Sequence, residues 1–263
     1  MVGFGLEPNQ AGIMITCMRT KEGRCVQEMR TLLTEYVEKL MPHLSTAAAP
    51  PKAESLEDQI ARELAELKRP QVNPWFTSLN TGTECVIFFR TSPRVDPVAL
   101  VSGLMADLAV SQRKVTRFAN RIIPVSRTCV AHMPDITKMA RTLLDPIFNA
   151  SVPNGDVPAS GADAETTPVA AASTDFAIVP KIRNNQKVER MALIENIAEI
   201  VGPNHVVNLE NPRYVILVEV LKSICMISVV ENYYLYRKFN LFSLTEDTPT
   251  KSSTPAKESS VAE

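Results

Sequence analysis

The chain has 263 residues, 45% of them apolar and 22% charged, a balance that suits a globular protein of one large domain or two small ones. Its five cysteines (Cys17, Cys25, Cys85, Cys129, Cys225) are odd in number, form no Cys-x-x-Cys pair and have no histidine at ligand spacing, which argues against a disulfide framework or a metal site and for reduced thiols. No cationic segment leads a long apolar run at the N-terminus, and Glu219 and Lys222 interrupt the longest apolar region, so neither a signal peptide nor a membrane span is expected and the chain reads as intracellular and soluble.

Ala11 to Cys17 predicts a short buried strand. From Lys21 to Met41, Val26, Met29, Leu33, Val37 and Leu40 recur at helical spacing. Leu44 to Lys52 reads as a linker. Ser55 then caps a helix striped by Leu56, Ile60, Leu64 and Leu67 and closed by Pro70. Cys85 to Phe89 follows an Asn-Thr-Gly turn and predicts a strand. Pro97 opens a helix with Val98, Val101, Leu104, Met105 and Leu108 inward. Together these predict a small α+β domain over residues 1–112.

A second unit is expected over 113–242. Ile122 to Val125 and Cys129 to Ala131 are extended, and Asp135 to Phe148 is a helix with Ile136, Met139, Leu143 and Ile147 on one face. Residues 149–174 are rich in Ala, Pro, Ser, Thr and Gly and predict a flexible loop. Phe176 to Pro180 resumes as a strand. Val188 to Val201 predicts a helix with Val188, Met191, Ile194, Ile197, Ala198 and Val201 in register. Strands over Tyr214 to Val220 and Ile224 to Val230 follow, and a disordered tail is expected over 243–263.

The net charge of −1 conceals an asymmetry. Residues 113–148 and 175–242 hold 15 Lys/Arg against 9 Asp/Glu, so a basic module sits inside a nearly neutral chain, as a polyanion-binding surface requires. Enzymatic signals are missing: no Gly-x-Gly-x-x-Gly or phosphate-binding Gly-Lys loop, and no His placed with Ser or Cys as base and nucleophile. No catalytic residue, cofactor or metal is therefore expected. His132 reads as a structural histidine, and Cys25 lacks a base partner.

Cationic and amide side chains instead gather beside the apolar runs. Lys181 and Arg183 share one face by strand alternation, and Asn184 or Asn185 is placed to cap the next helix, where spare backbone N–H groups take a phosphate; the alternative is a solvated turn. Arg117, Asn120 and Arg121 flank Phe118, which either stacks on a base or packs in the core. Lys222 stands between two strands, and Arg237, Lys238 and Asn240 form a second cationic edge after Tyr233, Tyr234 and Tyr236.

These motifs resemble the THUMP domain, a tRNA-binding module, and within it the adaptor family of eukaryotic tRNA acetylation. The family's aromatic-x-x-Arg-hydrophobic-hydrophobic-Pro is matched by Phe118 to Pro124, and its Thr-Cys-x-Ala by Thr128 to Ala131. Lys-x-Arg-Asn-Asn is matched at Lys181 to Asn185, and Val-Asp-Leu-x-Asn-Pro-x-Tyr at Val207 to Tyr214, with Asn208 in place of the usual acid. The closing pattern falls on Val229 to Leu241. Upstream, Gly12 to Cys17, Lys21 to Cys25 and Asn80 to Gly82 resemble the family's N-terminal ferredoxin-like domain.

The resemblance implies an α+β chain: an N-terminal ferredoxin-like domain, then a THUMP domain of a mixed sheet with helices packed on it. It implies a non-catalytic adaptor that grips the acceptor stem and CCA end of tRNA, mainly serine and leucine tRNAs. The partner would be an RNA cytidine acetyltransferase forming N(4)-acetylcytidine in the D arm, with nuclear, nucleolar or cytoplasmic residence and no membrane partner. The alternatives are an RNA-binding subunit of another tRNA-modifying enzyme, for thiolation or methylation, and an RNA-binding ribosome-biogenesis protein.

Overall fold

The first apolar run becomes strand β1 (Gly12–Cys17), an inner strand of an antiparallel sheet, in a computed structural model that describes residues 5–45, 73–149 and 173–245. The helix expected after Ser55, the interior of the 149–174 loop and the tail beyond Thr245 lie outside the described residues. After β1 come α1 (Glu22–Leu40), a short α2 (Pro42–Ser45), β2 (Phe76–Leu79), β3 (Val86–Thr91), α3 (Pro97–Ser111) and β4 (Ala119–Val125). Their order across the sheet, β2-β3-β1-β4, is that of a split βαβ arrangement. Asp96 caps α3 through the Val98 N–H, with Pro97 opening the helix as expected. Gly12 is required by close approach: a Cβ there would stand 2.3 Å from the Phe89 carbonyl oxygen and 2.6 Å from the Phe88 ring.

The second sheet contains β5 (Arg127–Val130), β6 (Asp175–Arg183), β7 (Val206–Val207), β8 (Tyr214–Leu221) and β9 (Ile224–Glu231), in the order β5-β9-β8-β6-β7. β6 runs parallel to both β7 and β8; the remaining pairs are antiparallel. Helices α4 (Met133–Phe148) and α5 (Arg190–Val201) cover one face, where Ile216, Val218, Val220, Cys225 and Ile227 meet Ile136, Ala140, Leu144, Leu193 and Ile197. The other face, through Val215, Leu217, Leu221, Met226 and Val230, joins the core of the first sheet. Burial on both faces explains why β8 reads as a nearly unbroken apolar run. A 3₁₀ turn (Arg237–Phe239) and α6 (Leu241–Thr245) close the described chain.

Several expectations shift. β4, assigned by sequence to the second unit, pairs with β1 (Ile122 opposite Ile15, Ile123 opposite Met14), so the break between sheets falls near Ser126. β2 is too short to show a period in sequence. In α1 the buried stripe is Cys25, Met29, Leu32, Leu33, Tyr36 and Val37, whereas Leu40 is exposed. In α4, Ala140, Leu144 and Phe148 turn inward and Ile147 outward; in α5, Leu193 and Ile200 are buried and Met191 exposed. These helices carry more apolar residues than one face holds, so the partner surface selects the stripe. Leu241 and Leu244 are buried, carrying ordered structure past the expected start of the tail.

Candidate nucleic-acid interface

Strand alternation places Lys181 and Arg183 on one face of β6, and β8 runs beside it with Lys181 opposite Glu219. Lys181 Nζ lies 3.5 Å from Glu219 Oε1, and Arg183 Nη1 lies 3.3 Å from Oε2. Glu219 is 4% exposed, and among the described residues it is the one buried charged side chain. Arg183 also reaches Met14 Sδ on β1 at 4.0 Å, so the cluster lies between the two sheets. Arg121, on β4, is close enough to act on both Lys181 and Glu219.

Burial pushes the Glu219 carboxyl above its ordinary range, against the pull of Lys181, Arg183 and Arg121. Burial likewise pushes Lys181 below its ordinary value, against the pull of Glu219. Three cations around one carboxylate leave a formal excess of two positive charges. The Lys181 and Arg183 side chains remain 28% and 32% exposed, so part of that excess faces solvent.

Beyond Arg183 the chain turns through Asn184, whose φ of 53° is left-handed. Asn185 holds the turn: its Nδ2 donates to the Lys222 carbonyl (2.6 Å), and its Oδ1 accepts from the N–H groups of Lys187 and Val188. Neither asparagine caps the helix that follows. Glu189 does, accepting from Met191 and Ala192. Lys222, left-handed at the β8–β9 turn, donates from Nζ to the Gly82 carbonyl (2.6 Å) in the first domain. Asn184, Asn185, Lys187 and Lys222 line an open groove of about 950 Å³ with Val130 to Met133 at the start of α4. His132 at its rim is exposed and stands 3.4 Å from Asp135.

The C-terminal edge is joined to this region through an antiparallel bridge between Arg121 and Asn240. Tyr233, Tyr236 and Phe239 are buried, while Arg237 and Lys238 are exposed on a turn whose three residues all have φ between 51° and 57°. The Asn240 side chain caps α6, accepting from the N–H groups of Phe242 and Ser243. Arg117 is exposed, with its backbone N–H and that of Phe118 held by the Glu28 carboxylate of α1. Phe118 packs partly buried against the core, and Asn120 is half-buried.

The structure thus gathers Arg121, Lys181 and Arg183 at Glu219, and Asn184, Asn185 and Lys222 at the groove; Arg237, Lys238 and Asn240 join through Arg121, and Arg117 stands at the start of β4 beside α1. Glu219 itself was legible only as a charge interrupting an apolar strand. Asn208, standing where the resembled motif has an acid, donates to Asp175 Oδ2 (2.9 Å), and this bond first of all holds the Asp175 carboxyl below its ordinary range. An acid at 208 would repel Asp175, so the two positions suit each other. Of the cysteines, Cys17, Cys25, Cys129 and Cys225 are buried and all five are free. Burial pushes the Cys25 thiol far up and Cys17 up to about 11.

Among the described residues no group of His, Cys, Asp or Glu is placed to hold a metal ion, and no helix is long and apolar enough to cross a membrane. A THUMP domain model matches residues 161–230. A Mus musculus protein named THUMP domain-containing protein 1 is 33% identical over 90% of this chain and 65% of its own length, so the chain spans just under two thirds of that relative. A Saccharomyces cerevisiae protein named tRNA acetyltransferase TAN1 is 29% identical over 93% of this chain and 87% of its own. A solution structure of the THUMP domain of THUMP domain-containing protein 1 is 33% identical, covers 38% of this chain and 84% of that one, and superposes with a TM-score of 0.27. The domain match falls on the sheet that carries Lys181, Arg183 and Lys222, nine-tenths of the chain aligns with proteins named for that domain, and this part of the chain is a THUMP domain.

Proposed function

We propose that the chain is a non-catalytic tRNA-binding adaptor that presents tRNA to an RNA cytidine acetyltransferase for N(4)-acetylcytidine formation in the D arm. The observation that carries the binding half is the surplus of positive charge at Arg121, Lys181 and Arg183, opening beside the groove bounded by Asn184, Asn185 and Lys222. Backbone phosphates near the CCA end rest on Lys181 and Arg183, and the groove receives the unpaired nucleotides. Arg117, Arg237 and Lys238 extend the positive track along the acceptor stem. Asn185 and Asn240 act here by holding turns.

The acetylation half is supported by the name of the yeast relative, which couples tRNA and acetyl transfer. Serine and leucine tRNAs are the expected clients, and the nucleus, nucleolus or cytoplasm the expected place of work. The test has two arms. Binding of the purified chain to a mature tRNA is compared with binding to the same tRNA lacking its CCA end; preference for the intact end is expected, and equal affinity overturns the grip. Acetylcytidine formation is then measured with acetyl-CoA, tRNA and the acetyltransferase, with and without this chain. Product only when both proteins are present supports the adaptor, whereas product from this chain alone overturns the non-catalytic role.

A further inference from the structure

At the opposite end of the first sheet from Lys222 and Gly82 lies a second groove, of about 680 Å³, lined by Trp75, Thr77, Arg90 and Arg127 and walled by the N-terminal segment at Glu7 and Gln10. Trp75 is the only tryptophan in the chain. Its backbone is pinned: the Asn73 side-chain oxygen accepts from the N–H groups of Trp75 and Phe76 (2.8 and 2.9 Å), and the Trp75 carbonyl accepts from Ser92 (2.8 Å). The ring is half-buried, packed against the core while it lines the groove, which makes a rigid aromatic platform. Thr77 and Arg90 stand directly opposite each other on β2 and β3.

Arg90 and Arg127 are exposed, and neither is ion-paired to a described residue, whereas Lys181 and Arg183 share a carboxylate. The N-terminal wall is fixed by Thr128, whose hydroxyl donates to the Glu7 carbonyl (2.6 Å) and accepts from the Gln10 N–H (2.9 Å). Thr91, also in the lining, is 7% exposed and its hydroxyl has no hydrogen-bond partner among the described residues.

We propose that this groove is a second RNA contact, in which Trp75 stacks on an unpaired base while Arg90 and Arg127 hold the flanking phosphates. An aromatic face beside two guanidinium groups is the chemistry that single-stranded nucleic acid requires, since stacking tolerates any base and the fork of arginine matches phosphate. Arg127 in this groove and Val130 in the first stand at the two ends of β5, roughly 10 Å apart at about 3.3 Å per residue, so one RNA molecule can touch both. The proposal rests on the RNA-binding reading above and adds the first domain to the binding surface.

Trp75 is its own reporter. The full chain is titrated with an unmodified tRNA transcript while tryptophan emission is followed, and overall binding is read in parallel from the anisotropy of labelled transcript. Emission should change in step with binding. Arg90→Ala with Arg127→Ala, both exposed positions, should weaken binding several-fold and abolish the emission change, and Trp75→Ala should weaken binding read by anisotropy about tenfold, in the range of one lost stacking contact. Binding with unchanged emission, or full affinity in the double arginine variant with the fold intact by circular dichroism, overturns the second contact but not the first. Absence of any binding by anisotropy overturns the RNA reading and this proposal with it. An emission change with polyglutamate equal to that with tRNA assigns the groove to acidic protein segments and overturns the nucleotide assignment.

Discussion

Glutamine at position 219 would keep the shape of the side chain and remove the one negative charge that faces Lys181 and Arg183. A phosphate oxygen resting about 3 Å beyond those cations lies roughly 6.5 Å from the carboxylate. At that distance the repulsion is about 0.6 kcal/mol with bulk-water screening and about 2.5 kcal/mol at an effective dielectric of ~20. Glu219→Gln should therefore bind tRNA roughly three- to seventyfold more tightly, with the lower part of that range expected at physiological salt. Anisotropy of labelled tRNA at fixed salt reads the effect directly. A second limb follows from linkage. Burial raises the Glu219 carboxyl, so the folded chain holds this proton to higher pH than the unfolded chain does. The stability tied to that proton is fully present below the ordinary carboxylate range and is lost as pH rises through the raised value. Melting midpoints of the native chain should fall below those of Glu219→Gln across that interval, with the difference closing in acid. Unchanged or weaker tRNA binding by a folded variant would refute the placement of phosphate at these cations.

If about five phosphates are engaged, log affinity should fall with log salt at a slope of roughly −3.5 to −4.5, and a flat response would remove the electrostatic basis of the interface. Gly12→Ala must push a methyl into the Phe89 carbonyl and the Phe88 ring, so a loss of about 1–3 kcal/mol is expected in denaturant unfolding; an unaltered midpoint would mean the strands part at no cost. In the native state at pH 8, only the half-buried Cys85 should react readily with a thiol reagent, the other four waiting for denaturant. Prompt labelling of Cys25 would contradict its burial.

Local chemistry made much of this protein legible in its sequence. Pro97 and its following stripe specified α3, the unbroken apolar runs after Tyr214 and Ile224 specified β8 and β9, and the surplus of Lys and Arg over residues 113–148 and 175–242 pointed to a polyanion. The alternation that puts Lys181 and Arg183 on one face is likewise a property of neighbouring residues. What tertiary structure alone decided depends on partners distant in the chain. β4 joins β1 because Ile122 and Ile123 meet residues more than a hundred positions upstream, and no local pattern encodes that choice. Asn185 looked like a helix cap and instead holds a turn, because the Lys222 carbonyl arrives from another strand and Glu189 takes the cap. Met191 and Ile147 fit a helical stripe yet face outward, because the sheet beneath selects which stripe is buried. Lys181 and Arg183 read in sequence as free cations, and folding gives them a shared buried carboxylate, because β6 and β8, separated by α5, lie side by side in the sheet. Residue identity set the charges and the periodicities; the pairing of distant strands set which charges meet and how much of each remains for a ligand.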